Sequence, residues 1–396
     1  MNLSFDNTKI AFAHKSDKEL KKAYRLFQTF GYPFIVNQGP KLANLALSLR
    51  LPIRGLIKNT LFAQFCGGET IAESYPSAQQ LFQNGIGAIL DYSVEGEGTP
   101  EDFVNSFDEL MKVITEAADR PEYPFAVFKC TAIGSFSMLQ SATSSIRSGD
   151  FLSFKNTTEY KSFEQRFKDL CEHAFKTNTK LFIDAEESYI QDAIDEITYE
   201  QMALYNTETA IVYNTIQLYR TGRIAEMKKR IAKARAEGYK IAFKLVRGAY
   251  MEKEAQRAEE KGYVNPIQKT KQDSDRDYDT AIKLCFDNRD VVSLCAGTHN
   301  EESSLLLAQL LNDNDVSIND DRFWFAQLYG MSDHISYNLA ASGYNVAKYL
   351  PYGPIKEVLP YLSRRAKENS SVKGQAGREL SLITSELKRR KLSKKS

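Results

Sequence analysis

Two arginines stand side by side, Arg364 and Arg365, at the end of YLPYGPIKEVLPYLSRR (349 to 365), a stretch that also carries Tyr349, Tyr352 and Tyr361. Adjacent guanidinium groups can grip a carboxylate or phosphate through several N–H donors at once. The same pattern also describes a solvated helix face on which Glu368 steadies an arginine. Lys129 follows the apolar run FAVF, so it is a half-buried lysine that needs an anion, or else a Schiff-base nucleophile. Asp184, after KLFI, can pair with a lysine or arginine, and His299 in GTHN is either a capped loop histidine or a donor to a bound cofactor. No nucleophilic Ser or Cys stands beside a strong base, which argues against a hydrolase. Cations that fix a carboxylate and tyrosines that wall an apolar ring suit a small amino or hydroxy acid. Chemistry without an evident acid, base or metal then calls for a bound redox cofactor.

The arginines need an element to hold them. Gly353 permits a turn and Pro354 suits a first helical position, so a helix is expected to begin there. Ile355, Val358, Leu359, Leu362 and Ala366 then form one apolar stripe, and Tyr361, Arg364, Arg365 and Glu368 a second. At about 100° per residue the second lies about 130° round from the first, at the edge of a core. Pro360 is expected to kink or restart this helix.

The remaining residues fall at the ends of short apolar runs. Eight such runs occur: AILDYSV (88 to 94), FAVFKCTA (125 to 132), KLFIDAEE (180 to 187), AIVYNTI (210 to 216), IAFKLVRGAY (241 to 250), VVSLCAG (291 to 297), FWFAQLY (323 to 329) and NVAKYLPYG (345 to 353). Most are separated by a stretch long enough for a helix. Strands that alternate with helices pair in parallel, and eight units close a (β/α)8 barrel; an open doubly wound sheet is the alternative. In a barrel the site lies at the C-terminal strand ends, which carry Lys129, Asp184, Gln217, Lys244 with Arg247 and Tyr250, Thr298 with His299, Gln327 and Tyr349. Glu95 joins them from the first loop. No GxGxxG or GxxxxGK[ST] motif is present, so a nucleotide cofactor must be held by something other than a Rossmann unit or a phosphate loop.

Composition narrows the class further. The chain has 396 residues, 42% of them hydrophobic, with 52 Lys and Arg against 51 Asp and Glu. That is enough for a large core and leaves no field to attract nucleic acid. The five cysteines are scattered and odd in number, as expected of reduced thiols in a cytoplasmic-type compartment. The four histidines and the cysteines show no zinc-ligand spacing, so no metal is expected. Residues 1 to 80 read as a helical segment, 81 to 375 as the barrel, and 376 to 396 as a helix and basic tail. The N-terminus has the pattern of neither a secretory signal nor a membrane span.

KLVRGAYMEKE, GTHN, FAQLYGMSD and YNVAKYLPYGPIKEVLPYLSRRAKEN, with KCTAIG and IDAEES, resemble the FAD-dependent proline dehydrogenases, in the family's order, over about Ile86 to Asn369. The N-terminal helices are compatible with the single-activity bacterial members. The resemblance implies a distorted (β/α)8 TIM-type barrel with FAD over the strand ends. It implies oxidation of L-proline to Δ1-pyrroline-5-carboxylate by hydride transfer to flavin N5, with a membrane quinone reoxidising the flavin. Arg364, Arg365 and Lys129 would hold the proline carboxylate. Tyr349, Tyr361 and Leu328 would wall the ring, with Ala249 and Tyr250 nearby, and Asp184 would lie close to the flavin and the active-site water. Glu368 would orient the arginines, and Glu95 would gate the site by pairing with Arg364. Gln217, Lys244, Arg247, Gly248, Thr298 and His299 would contact FAD. Many relatives carry Arg where this chain has Lys244, which keeps the charge but not the fork, and Met251 replaces an aromatic residue of some relatives.

A hydroxyproline dehydrogenase is the nearest rival, and the resemblance implies that Tyr349 closes the space a ring hydroxyl needs. A Schiff-base lyase built on Lys129 or a non-catalytic binding barrel would leave KLVRGAY and GTHN unexplained. The tail LKRRKLSKKS holds six cations in its final nine residues. It is expected to be solvated and frayed, with weak peripheral contact with the inner face of the cell membrane as the second reading. The chain carries no second catalytic domain, so a separate pyrroline-5-carboxylate dehydrogenase is expected to take the product.

Overall fold

The computed structural model describes residues 3–32, 34, 36, 38, 39, 53–93, 98–371 and 375–393. Eight strands form a closed barrel in the order β1 to β8: Ile86–Tyr92, Phe125–Lys129, Lys180–Asp184, Val212–Gln217, Ile241–Val246, Val292–Gly297, Phe323–Leu328 and Val346–Tyr352. This is the (β/α)8 barrel that the alternation of apolar runs predicts. The strands β2 to β6 pair in parallel in sequence order, and β1 pairs in parallel with β8. Helices fill the connections. Seven matter below: α1 (Asp17–Thr29), α2 (Ser188–Tyr205), α3 (Met251–Lys261), α4 (Asp333–Ala341), α5 (Ile355–Ser371), α6 (Gln375–Ser393) and, between α3 and α4 in the chain, the helix Lys271–Asp287.

β2, β3 and β5 stop three or four residues short of their apolar runs. β2 ends at Lys129, where Cys130–Ala132 turn into a 3-10 helix, and β3 ends at Asp184. β5 ends at Val246, two residues before Gly248, whose φ of 137° lies outside the strand region. Burial continues past two of these ends, at Cys130 and at Glu186 and Glu187, whereas Gly248 and Ala249 after β5 are exposed.

The chain divides into two compact units, one comprising residues 1–95 and 326–396 and the other residues 96–325. In the first, α1 begins with a capping box in which Ser16 and Glu19 satisfy each other's backbone N–H groups. Its buried face, Leu20, Ala23 and Phe27, shares one apolar cluster with Val358, Leu359, Leu362 and Ala366 of α5 and Leu382 and Ile383 of α6. The first stripe of α5 is thus a core face, as its spacing predicts. The second is deeper than expected, with Tyr361 at 5% and Arg365 at 7% exposure. α5 continues through Pro360 without restarting.

The basic C-terminus departs from a frayed tail. α6 extends to Ser393, and Arg390 donates to Glu386, to Asp17 and to the carbonyls of Phe12 and Lys15, at 2.7 to 3.0 Å. Glu386 is fully buried and also accepts from Arg389 and Thr8. Arg390, which looked like surplus charge, ties α6 to the N-terminal residues, and Arg389 braces the Glu386 carboxylate that Arg390 and Thr8 share.

Candidate active site

In residues 96–325, parallel register sets Lys129 and Asp184 side by side at the ends of β2 and β3. Lys129 Nζ lies 3.3 Å from Asp184 Oδ2, and Lys244 of β5 donates to the other oxygen, Oδ1. The anion that a lysine after FAVF requires is therefore Asp184. Lys244 is 3% exposed, with its ammonium 5.3 Å from the centre of the Phe182 ring. Burial would raise the Asp184 pKa, but the charges and hydrogen bonds of Lys244 and Lys129 outweigh it and hold the carboxyl below its ordinary value.

Gln217, at the end of β4, is buried. Its Nε2 donates to the Glu186 carbonyl at 2.9 Å, and its Oε1 has no hydrogen-bond partner. A buried acceptor without a donor is costly, and a ligand that supplies one is the usual resolution. Arg247 is fixed from three sides: Nε donates to Asp275 at 2.6 Å, Nη1 to Thr298 Oγ1 at 2.7 Å and Nη2 to Ser303 Oγ at 3.1 Å. Its guanidinium also lies over the Tyr278 ring. Gly248 must be glycine, because its φ is strongly positive and a Cβ there would overlap the Tyr219 ring. Gly248 and Ala249 are exposed, while Tyr250 and His299 are half-buried.

In the other unit, Arg365 donates from Nη2 to Glu368 at 2.7 Å and lies over the Tyr361 ring at 5.1 Å. Arg365 Nε and the Tyr361 hydroxyl are both buried and have no partner. They sit one helical turn apart on the same face of α5, and an acceptor is the partner that each donor lacks. Arg364 and Leu328 are half-buried and Tyr349 is 7% exposed. The backbone of Tyr349 is tied to that of Tyr329 by a 2.8 Å hydrogen bond. Glu95 lies outside the described residues.

The sequence model of the proline dehydrogenase family matches residues 75–378. The chain belongs to the proline dehydrogenase family. Proline dehydrogenase 1 of Dictyostelium discoideum, a mitochondrial protein, is 30% identical over 98% of this chain and 75% of its own length. Hydroxyproline dehydrogenase of Xenopus laevis is 30% identical over 98% of this chain and 90% of its own. Among solved structures, proline utilization A from Bdellovibrio bacteriovorus inactivated by N-propargylglycine superposes with a TM-score of 0.72 at 20% identity. That match covers 92% of this chain but only 38% of the other, so this chain spans well under half of that protein.

Set within this family, the residues present fit a flavin nucleotide. The orphaned Gln217 Oε1 can accept from a ring N–H, Lys244 supplies a buried cation, and the exposed Gly248 offers backbone that no side chain screens. Sequence reasoning missed Glu186, Glu187 and Glu254. Glu186 is 3% exposed, and its carboxylate accepts from the Thr131 N–H at 3.0 Å and the Thr131 hydroxyl at 2.5 Å. Glu187 accepts from Lys253 at 2.7 Å, and Glu254, fully buried on α3, accepts from the Ser188 hydroxyl at 2.6 Å. The doublet Glu186 and Glu187 begins two residues after Asp184 in IDAEES, but its partners Thr131 and Lys253 are distant in the chain and meet it only in the fold.

Proposed function

We propose that the chain oxidises L-proline to Δ1-pyrroline-5-carboxylate as an FAD-dependent proline dehydrogenase. The observation that carries this reading is the pair of unmet buried donors on α5, Arg365 Nε and the Tyr361 hydroxyl, in a chain of this family. When bound, FAD would accept the hydride from the proline ring carbon next to nitrogen and pass the electrons to a quinone. Gln217, Lys244, Arg247, Gly248, Thr298 and His299 are assigned to holding it.

The carboxylate of proline is assigned to Arg364, Arg365 and Lys129, with Glu368 orienting Arg365. Tyr349, Tyr361 and Leu328 wall the ring, with Ala249 and Tyr250 nearby, and exclude water from it. Asp184 is held ionised between two lysines, which makes it a poor proton acceptor. Its role is to hold Lys129 and Lys244 in place and to offset their charge. The burial of Tyr349 supports proline over trans-4-hydroxyproline, whose extra hydroxyl would need room and a partner there.

No helix among the described residues is long and apolar enough to cross a membrane. Exposed Lys388 and Lys391 on α6 support weak peripheral contact with an anionic membrane surface, where a quinone would be met. We place the protein on the cytoplasmic side of that surface, with a separate pyrroline-5-carboxylate dehydrogenase downstream. Arg365→Met is expected to raise the proline KM by roughly 100-fold, the cost of one charge-assisted clamp, with FAD content unchanged. Equal loss of proline and FAD binding would mean the clamp is misassigned.

A further inference from the structure

One buried residue touches both the substrate-facing and the cofactor-facing side of residues 96–325 without belonging to either. Glu186 follows Asp184 by two positions, just beyond the end of β3. Each of its polar groups is committed. Oε1 accepts the Thr131 N–H at 3.0 Å and Oε2 accepts the Thr131 hydroxyl at 2.5 Å. The Glu186 N–H donates to Gln191 Oε1 at 2.7 Å, and the Glu186 carbonyl accepts from Gln217 Nε2 at 2.9 Å. Gln191 is itself held by Asp195, which also accepts from Asn214 in the middle of β4. The chain of bonds therefore runs from the turn after β2, through Glu186 and α2, into β4.

We infer that Glu186 is a positioning residue: its side chain locks the 3-10 turn that follows Lys129, and its carbonyl aims the Gln217 amide. This inference rests on the proposed function of the same site. Thr131 is two residues beyond Lys129, at the point where β2 gives way to Cys130–Ala132. Without the clamp that turn loses its two bonds to the residues after β3, and the end of β2 that sets Lys129 against Asp184 is held less firmly. Its direct side-chain bonds go to Thr131, while the charge of Lys129 also favours the ionised form. Burial pushes its pKa up to about 7 against the hydrogen bonds from Thr131. The clamp survives in either protonation state, because a neutral carboxyl can accept from the Thr131 N–H and donate to its hydroxyl.

A charge-neutral isostere should therefore preserve what a truncation loses. In Glu186→Gln the amide oxygen can accept the Thr131 N–H while the amide nitrogen donates to the Thr131 hydroxyl oxygen. The test compares flavin-loaded parent, E186A, E186Q and T131V by anaerobic reduction with L-proline and by direct titration with FAD. E186A is expected to raise the proline KM by roughly tenfold and weaken FAD binding by roughly threefold, as lost positioning does. T131V, which keeps the backbone bond and removes only the hydroxyl, should raise KM by about threefold. E186Q should recover most of what E186A loses. A parental proline KM in both E186A and T131V would overturn the inference, as would an E186Q no better than E186A. If E186A does not fold, T131V and E186Q decide the matter in the same way. Should the parent itself bind FAD yet resist reduction by proline, the functional reading fails and this inference with it.

Discussion

Asp184 and Asp333 invite comparison, because each is an aspartate gripped by two lysines and only one is assigned to the site. Asp184, at the end of β3, joins Lys129 at the end of the neighbouring β2 and Lys244 within β5, with Lys129 22% exposed at its side chain. Asp333, at the start of α4, accepts from Lys348 of β8 at 2.8 Å and Lys15 at 3.1 Å, with His14 Nε2 3.6 Å away. Lys348 spends its other donors on the carbonyls of Met331 and Leu328 and is 1% exposed at its side chain. His14 stacks flat on Tyr337 of α4 at 3.9 Å. Asp333 thus ties N-terminal residues to β8 and the turn after β7, with Lys348 closed off from water and the Lys15 side chain 19% exposed. The difference teaches that a buried charge cluster is not by itself a functional site. What marks the Asp184 side is its place at the C-terminal end of a barrel strand, with the unmet acceptor of Gln217 at the end of the next strand; the Asp333 side joins three separate segments of the chain and has the geometry of a staple.

Removing a lysine from each cluster is the sharpest way to break that comparison. Lys348→Met removes the most deeply buried partner of Asp333 and leaves two carbonyls without their donor, and should cost about 3–5 kcal/mol in denaturant unfolding, the usual penalty for breaking a buried pair. Gly330→Ala should cost about 2–3 kcal/mol, because φ there is +74° and a Cβ would overlap the Gln64 backbone. Lys129→Met should cost only about 1 kcal/mol, since Lys244 still holds Asp184, yet raise the proline KM by roughly tenfold. If Lys129→Met destabilises as much as Lys348→Met, the Asp184 cluster is a staple too.

The smallest effect is a pH dependence. Burial lowers the His14 pKa, with Lys15 also acting against its protonation and Asp333 opposing both. The unfolded chain therefore binds a proton at His14 before the folded one does. Stability from this group is complete above about pH 6.5 and is lost as pH falls below it. Asp333 behaves in a second window: burial would raise its pKa, but Lys15, Lys348 and His14 hold it well below 3.8. Its contribution is complete above about pH 4 and is lost on further acidification. Unfolding midpoints measured across both windows should show two steps, and His14→Gln should remove the upper one while leaving the lower.

The fold was legible because apolar runs and helix-period stretches alternate eight times, and parallel pairing follows from that alternation. The pairing of Lys129 with an anion was legible from its place after four apolar residues. Glu186 was not, because its partner Thr131 is 55 residues away and the bond depends on how two strand ends meet. The Asp333 staple was hidden for the same reason, with Lys15, Asp333 and Lys348 brought together only by tertiary packing. Arg389 and Arg390 were misread as tail charge although Glu386 precedes them at helical spacing, a local signal that composition obscured.

The most direct test of the central claim is the absorption spectrum of the purified protein, loaded with FAD where needed, before and after anaerobic addition of L-proline. The account predicts a flavin spectrum that bleaches with proline and does so less readily with trans-4-hydroxyproline. A protein that takes up no FAD, or whose flavin stays oxidised in the presence of proline, would contradict it.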